Sequence, residues 1–344
     1  MSRDDVVLPG AGDRDVLLRA AVAAPSMHNT QPWRFRFAGT VVEVHRDRVR
    51  ELPAEDPEGR MLHLGLGAAI FNLRVAAAHL RYGADARYVL DPGRPDLVAE
   101  VELVAGGPET PQLAALFAAV PERRTNRNPY TDQRLPAQVR ELLSLTAGTE
   151  GTELRWVDEP SRLHWLRMAI ADANVEDDFD EGRTAERRQW VGGDRDAEGV
   201  PASALGPRPR SRRAPVRDLG ATPFDNRRPS ADFEASPQLA VLSTRRDGPA
   251  EWLRAGQAME RVLLEATAHG VATSLLNQAI EHSRLRWLVR DPLGAWSRPQ
   301  AVIRFGYGPP VPETPRRALA DVVLPPEPEP EPGEAADAST EPES

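Results

Sequence analysis

The chain has 344 residues, of which 40% are hydrophobic, and a formal net charge of −9. That length supports one large or two ordinary domains with a sizeable core. The absence of cysteine excludes disulfides and thiolate metal sites. Seven acidic residues, no basic residue and six prolines fall between Pro325 and Ser344. The body before them is therefore close to neutral, which argues against the strongly basic surface of a nucleic-acid binder.

In chain order, residues 1–12 read as a polar lead. A helix is expected over Asp13–Ala24, stopped by Pro25. Strands follow at Trp33–Phe37 and Thr40–His45. A helix over Met61–Tyr82 is apolar on nearly all sides, which means burial between layers, and Gly83 is read as its end. Strands are expected at Ala86–Leu90 and Val98–Val104, then a short helix at Leu113–Val120. The order then begins again: a helix at Pro136–Ala147, a strand at Glu153–Val157 and a helix at Arg162–Asn174. After residues 176–235 come a strand at Gln238–Ser243 and a helix at Glu251–His269 closed by Gly270. Ala272–Leu276, Ser283–Val289 and Gln300–Gly306 read as strand or loop, short helix and strand. The segment from residue 324 on cannot bury enough apolar surface to order itself and is expected to be a disordered tail. The start, Met1-Ser-Arg-Asp-Asp, has no apolar leader, and no run is read as membrane-spanning, so the expectation is a cytoplasmic chain without membrane or nucleic-acid partners.

Two stretches carry chemistry. Between the first helix and first strand lie Pro25, Ser26, Met27, His28, Asn29, Thr30, Gln31, Pro32 and Trp33. Small hydroxyls and the Asn29 and Gln31 amides suit a planar ligand with hydrogen-bonding edges, on a backbone stiffened by Pro25 and Pro32. The same residues also fit a capped loop with Trp33 plugging the core. The second stretch, Arg123-Arg-Thr-Asn-Arg127, places three guanidinium groups within five residues, a pattern that grips phosphate oxygens or forms a solvated charged face.

Ala24-Pro-Ser-Met-His-Asn-Thr-Gln-Pro-Trp33 resembles the A-P-S-x-x-N-x-Q-P-W signature of the FMN-dependent nitroreductase family. The resemblance implies an α+β nitroreductase-like fold that binds FMN. It further implies hydride transfer from NADH or NADPH to the flavin N5, then to a small-molecule electron acceptor such as a nitroaromatic or quinone. Arg123, Arg124, Thr125 and Arg127 resemble the family's R-R-S-x-R stretch, with threonine in place of serine, and imply the phosphate site. Arg316 and Arg317, after Gly306-Tyr-Gly-Pro, resemble a C-terminal stretch whose basic residues also reach the phosphate. Thr273 and Ser274 match by position a loop that contacts the isoalloxazine ring. Met27 stands where many members have a second serine. His28 is a proton donor, a lid contact or loop packing. No side chain is expected to be catalytic in its own right, since the flavin carries the hydride.

The halves, 13–120 and 121–323, repeat one order of elements. This resembles a fused, Acg-like subfamily in which two diverged copies imitate the family's dimer, giving a monomer or weak homodimer. The Pro-Ser loop occurs only in the first half and the arginine cluster only at the start of the second. One complete FMN site is therefore expected, the other lost. Residues 176–235 match nothing in the family and read as a lid, with Phe179, Trp190, Val191, Leu205 and Leu219 as apolar anchors and Trp190 near the flavin face. The lid, the missing second site and the absence of lysine beside the flavin also fit a protein that holds flavin with little turnover.

Overall fold

The computed structural model describes residues 8–107, 111–211, 213–219, 228–290 and 298–326. The expected disordered tail lies, from residue 327 on, outside the described residues. Helix α1 (Ala11–Val22) leads through the signature loop to strands β1 (Trp33–Ala38) and β2 (Val41–Arg46), joined by Gly39 at φ +63°. Helix α2 (Arg60–His79), strands β3 (Tyr82–Tyr88) and β4 (Leu97–Ala105) and the short α3 (Pro111–Ala115) complete the first half. The second half opens with α4 (Ala137–Thr149), β5 (Glu153–Trp156), α5 (Pro160–Phe179) and α6 (Glu181–Trp190). The two-residue strands β6 (Arg208–Pro209) and β7 (Ser230–Ala231) follow. Next come β8 (Gln238–Thr244), α7 (Pro249–Ala268), β9 (Ala272–Leu275), α8 (Gln278–Glu281), α9 (Arg286–Val289), β10 (Arg298–Gly306) and α10 (Leu319–Val322).

Each half builds a four-stranded antiparallel sheet, ordered β1-β2-β4-β3 in the first and β5-β8-β10-β9 in the second. In both, a helix precedes the first strand and a twenty-residue helix links the second strand to the third. The halves thus share one topology. The last segment leaves the second half altogether. Val323 bridges Phe35 in parallel, and Leu324 N–H donates to Phe35 O at 2.7 Å, so this segment closes the edge of the first sheet.

The layers meet where α2 packs on α7. A Cβ on Gly67 would lie 2.2 Å from Leu253 O, and one on Gly256 would lie 2.2 Å from Leu64 O. The two contacts are reciprocal, which fixes residue 67 against 256 and 64 against 253 across a local twofold. Side chains of Leu66, Ile70, Phe71 and Leu73 fill the space around this crossing with no exposed surface, each contributing roughly 1.5–3 kcal/mol by burial. Among the described residues α2 is long and apolar enough to cross a membrane, contrary to the sequence expectation, yet it is mostly buried within the protein. Its all-round apolarity is that of a central layer.

The expected end of α2 at Gly83 is corrected. The helix ends at His79, the chain turns at Arg81 with φ +64°, and Gly83 lies inside β3. Gly107 packs directly on it: a Cβ added at Gly107 would fall 2.8 Å from Gly83 Cα. The helix expected at Ser283–Val289 is confined to α9, a further short helix, α8, precedes it, and α5 runs five residues beyond the expected Asn174.

Candidate cofactor and active site

The signature loop is strained and tightly held. His28, Asn29 and Gln31 adopt φ of +49°, +56° and +53°, a region costly for side chains other than glycine. Ser26 Oγ accepts from Gln31 N–H at 2.9 Å, closing the turn. Pro25 and Ser26 rest on α2 at Gly65, where a Cβ would come 3.3 Å from Ser26 Cβ. Trp33 is fully buried and plugs the core beneath.

Two cavities meet at Pro25, Ser26, Thr125 and Arg127. The broader one is lined by Met27, Met61, Leu64, Gly65, Met259 and Leu275, with His28, Asn277, Arg217 and Glu281 as its polar groups. Met61, Leu64 and Gly65 reach it from one face of α2 at i, i+3, i+4 spacing. The narrower one is lined by Arg123, Arg124, Asn29, Thr314 and Arg316. The site is thus elongated, apolar at one end and guanidinium-lined at the other, with walls from both halves.

Charge at the narrow end is unbalanced. Burial, then the neighbouring Arg123 and Arg124, bring the Arg316 guanidinium down to about 9. Burial and Arg217 bring Arg127 down to about 10, and among the described residues Arg127 donates to Ala204 O alone, at 3.1 Å. Arg124 reaches the exposed Glu313 at 3.6 Å. Such mutual depression among cations is relieved by a bound anion.

Several expected contacts fall elsewhere. The Asn29 amide donates to Gly199 O at 2.9 Å and Pro315 O at 3.0 Å. Gln31 Nε2 donates to Ala197 O at 2.8 Å, and its Oε1 accepts from Arg317 N–H at 2.9 Å. Both amides tie the loop to protein backbone, although Asn29 still borders the narrow cavity. Arg317 is paired with Asp47 at 3.2 Å and donates to the carbonyls of Gln31 and Asp321, so Arg316 is the member of the pair that lines the cavity. Thr273 and Ser274 are buried in β9, where Thr273 bridges Thr125 and holds the arginine loop; Leu275 and Asn277 line the cavity in their place.

The insertion crosses the site. Leu219 and Arg217 wall the broad cavity, while Val200 and Ala204 wall the narrow one. Val200, Leu205 and Leu219 form a small core of their own, with Val191 packed against it. Trp190 lines neither cavity, and Phe179 is 84% exposed and anchors nothing. The fastening is ionic. Arg183 and Arg187 on α6 and Arg217 beyond it converge on Asp177, Glu55 and Glu281. Glu55 also pairs with His28. Burial opposes ionisation of Glu55, but the charges of His28, Arg217 and Arg187 outweigh it and hold the carboxyl at about 2. Sequence reasoning missed this cluster, because none of its partners share a local pattern.

The twofold at Gly67 and Gly256 locates the corresponding place in the other half. Residue 65 there corresponds to Arg254, whose side chain lies against Gly151 as Gly65 lies against Ser26. Around it Glu150 accepts from Arg74 and Arg261, both at 2.8 Å, and Gln257 donates to Tyr88 Oη at 2.7 Å. A long, charged side chain thus stands where the first site has glycine.

No protein-family profile matches the chain. It is 35% identical over 324 residues to a Mycobacterium tuberculosis protein named "Putative NAD(P)H nitroreductase Rv3131", covering 93% of each chain. It is 31% identical over 312 residues to "Putative NAD(P)H nitroreductase acg" from the same organism, covering 89% of this chain and 93% of that one. Among solved structures, the NADPH complex of the FMN-dependent nitroreductase NfnB from Mycobacterium smegmatis matches with a TM-score of 0.38 at 19% identity, over 61% of this chain and 97% of that one. An FMN-bound nitroreductase from Bacteroides fragilis gives 0.37 at 16% identity, over 59% of this chain and 95% of that one. With relatives at this identity along nearly its whole length, the chain belongs to the NAD(P)H nitroreductase family, among its Acg-like members.

Proposed function

We propose that the protein is an FMN-dependent oxidoreductase that draws hydride from NADH or NADPH and passes it to a small acceptor such as a nitroaromatic or quinone. The observation that carries this reading is the joined pair of cavities. An apolar, methionine-lined end suits a flat heteroaromatic ring, and an end with unbalanced guanidinium charge suits a phosphate monoester. The names of the relatives support the same activity.

The residues fit that group. Arg127 and Arg123 would hold the phosphate, Arg127 most directly, since it is half-buried and donates to one carbonyl among the described residues; Arg316, whose guanidinium donates to Val22, Ala23 and Thr314, would add its charge. Met61, Leu64, Gly65 and Met259 would bed the ring, and Gly65 leaves room for Pro25 and Ser26 to approach α2. When bound, FMN supplies reversible two-electron chemistry that no side chain here offers. Arg217 brings a cation to the ring end, a role lysine cannot fill in this chain, although Glu281 at 2.7 Å already balances much of its charge. Arg217 and Leu219 of the insertion wall the ring end and would limit what can stack there.

Each half supplies what the other lacks, which supports one flavin per chain, a monomer working as the family's dimer does, and a cytoplasmic location where reduced nicotinamide is found. A second reading, flavin held with little turnover, is favoured by the ionic fastening of the insertion over the ring end. Anaerobic addition of NADPH or NADH to the flavin-loaded protein separates the two. Bleaching of the flavin band, and its return with a quinone or nitroaromatic, is the result expected of the oxidoreductase. A band that persists under reductant contradicts it and leaves the holding role.

A further inference from the structure

Glu260, on α7 behind the narrow cavity, has no exposed surface, and neither of its carboxyl oxygens has a hydrogen-bond partner. Arg123 Nε stands 3.5 Å from Oε1 and is itself without a hydrogen-bond partner. The other groups facing Glu260 are Asn72 from α2 and Arg316 from the C-terminal segment. Asn72 Nδ2 donates to Ala20 O at 3.0 Å, which leaves its Oδ1 buried without a donor.

This is not the geometry of a settled buried ion pair, which needs short bonds on both oxygens to offset desolvation. A protonated carboxyl supplies the O–H that Asn72 Oδ1 lacks. An ionised one competes for the Arg123 guanidinium, which also lines the cavity. Arg123 therefore has two claimants, one behind it and one in the cavity. We infer that Glu260 is a positioning residue for the phosphate end: it takes up a proton when a phosphate monoester reaches Arg123, releasing that arginine to the ligand. The inference rests on the flavin reading of the site.

Burial pushes Glu260 up to about 7, chiefly against the pull of Arg123, so the exchange falls near neutral pH. A dianion in the cavity raises it further. Affinity for FMN then falls as pH rises above about 7, by up to tenfold per pH unit. The second ionisation of the phosphate itself, near pH 6, acts in the opposite direction and is almost complete there. Riboflavin, lacking the phosphate, draws no proton.

The test is titration of the flavin-free full chain with FMN and with riboflavin between pH 6.5 and 8.5, for wild type and Glu260→Gln. The expected result is an FMN Kd that weakens roughly tenfold across the upper part of this range in wild type. It should be much flatter in Glu260→Gln, where only Arg316, at about 9, still takes up a proton at the top of the range, with riboflavin flat in both. Equal slopes for FMN and riboflavin, or the same FMN slope in the variant, overturn the role of Glu260. Failure of both flavins to bind wild type overturns the flavin reading and the inference with it. A second readout needs no variant. Calorimetry at pH 7.5 in two buffers of different ionisation enthalpy should show net proton uptake with FMN and none with riboflavin. Proton release, or no exchange with FMN, contradicts the inference.

Discussion

Gly67 and Gly256 face each other across the crossing of the two central helices, each occupying space that a Cβ on the other's helix would need. A methyl group on Gly67 would sit 2.9 Å from Gly256 Cα and 2.2 Å from Leu253 O. Alanine in a helix interior ordinarily gains about 1 kcal/mol over glycine. Here the clash is with backbone, which no rotamer change relieves. Gly67→Ala and Gly256→Ala should each lower stability by about 3 kcal/mol or more in urea unfolding. Gly148→Ala in α4, with nothing within 4 Å of the new Cβ, should leave stability level or slightly raised. Equal effects at all three positions would contradict the crossing.

Arg127 and Arg317 are both arginines of the expected phosphate site, and the structure gives them different work. Arg127→Gln should weaken FMN binding by about 10- to 100-fold, the loss of a charge-assisted bond, with riboflavin little changed. Arg317→Gln removes one of the three arginines on Asp47, which keeps Arg50 and Arg34, and loosens the signature loop from the C-terminal segment. It should lower stability and weaken both flavins alike. Flavin titration and thermal melting on the same samples read both effects.

Arg217 fastens the insertion through Glu281 and Asp177. Arg217→Ala removes the short partner of Glu281, which keeps Arg183 at 3.5 Å, while Asp177 retains Arg183 and Arg187, so the cost is about 2 kcal/mol. Hydrogen exchange should speed up across residues 181–205, while α2 and α7 stay protected. Uniform loss of protection would contradict a separate fastening of the insertion.

Acid should release the same segment. Glu55 is held at about 2 in the folded protein, against an ordinary value of 4.5. A depressed carboxyl gives stability that is present above 4.5 and is lost as pH falls through about 2. Its share is on the order of 3 kcal/mol. Glu260 has the opposite sign. Its raised carboxyl gives stability that declines as pH rises from 4.5 to about 7, by a similar amount. Glu260→Gln should therefore gain on wild type between pH 5 and 8 in denaturant melts, and a constant difference across that range would count against it.

The parts of the fold and site legible in the sequence are those built from local, uncommon patterns. The signature loop, the arginine cluster and the two long apolar helices each announce themselves within a few residues. Gly83 misled because glycine ends helices and also permits close strand approach; Arg81 makes the turn and Gly83 meets Gly107. Met61, Leu64 and Met259 share the spacing of core residues, so their exposure to a cavity leaves no trace in sequence. Asn29 and Gln31 were expected to face a ligand because their partners, Gly199, Pro315 and Ala197, lie more than 160 positions away. Trp190 drew notice by size alone, whereas Arg217 and Leu219, in a stretch without periodicity, reach the cavity.

The most direct test of the account is the flavin stoichiometry of the flavin-free chain. The long, charged side chain of Arg254 stands in the second place, and Arg123, Arg127 and Arg316 complete only the first. Titration with FMN, read by absorbance and calorimetry, should saturate at one flavin per chain. Two flavins per chain, or no binding at all, would contradict the site described here.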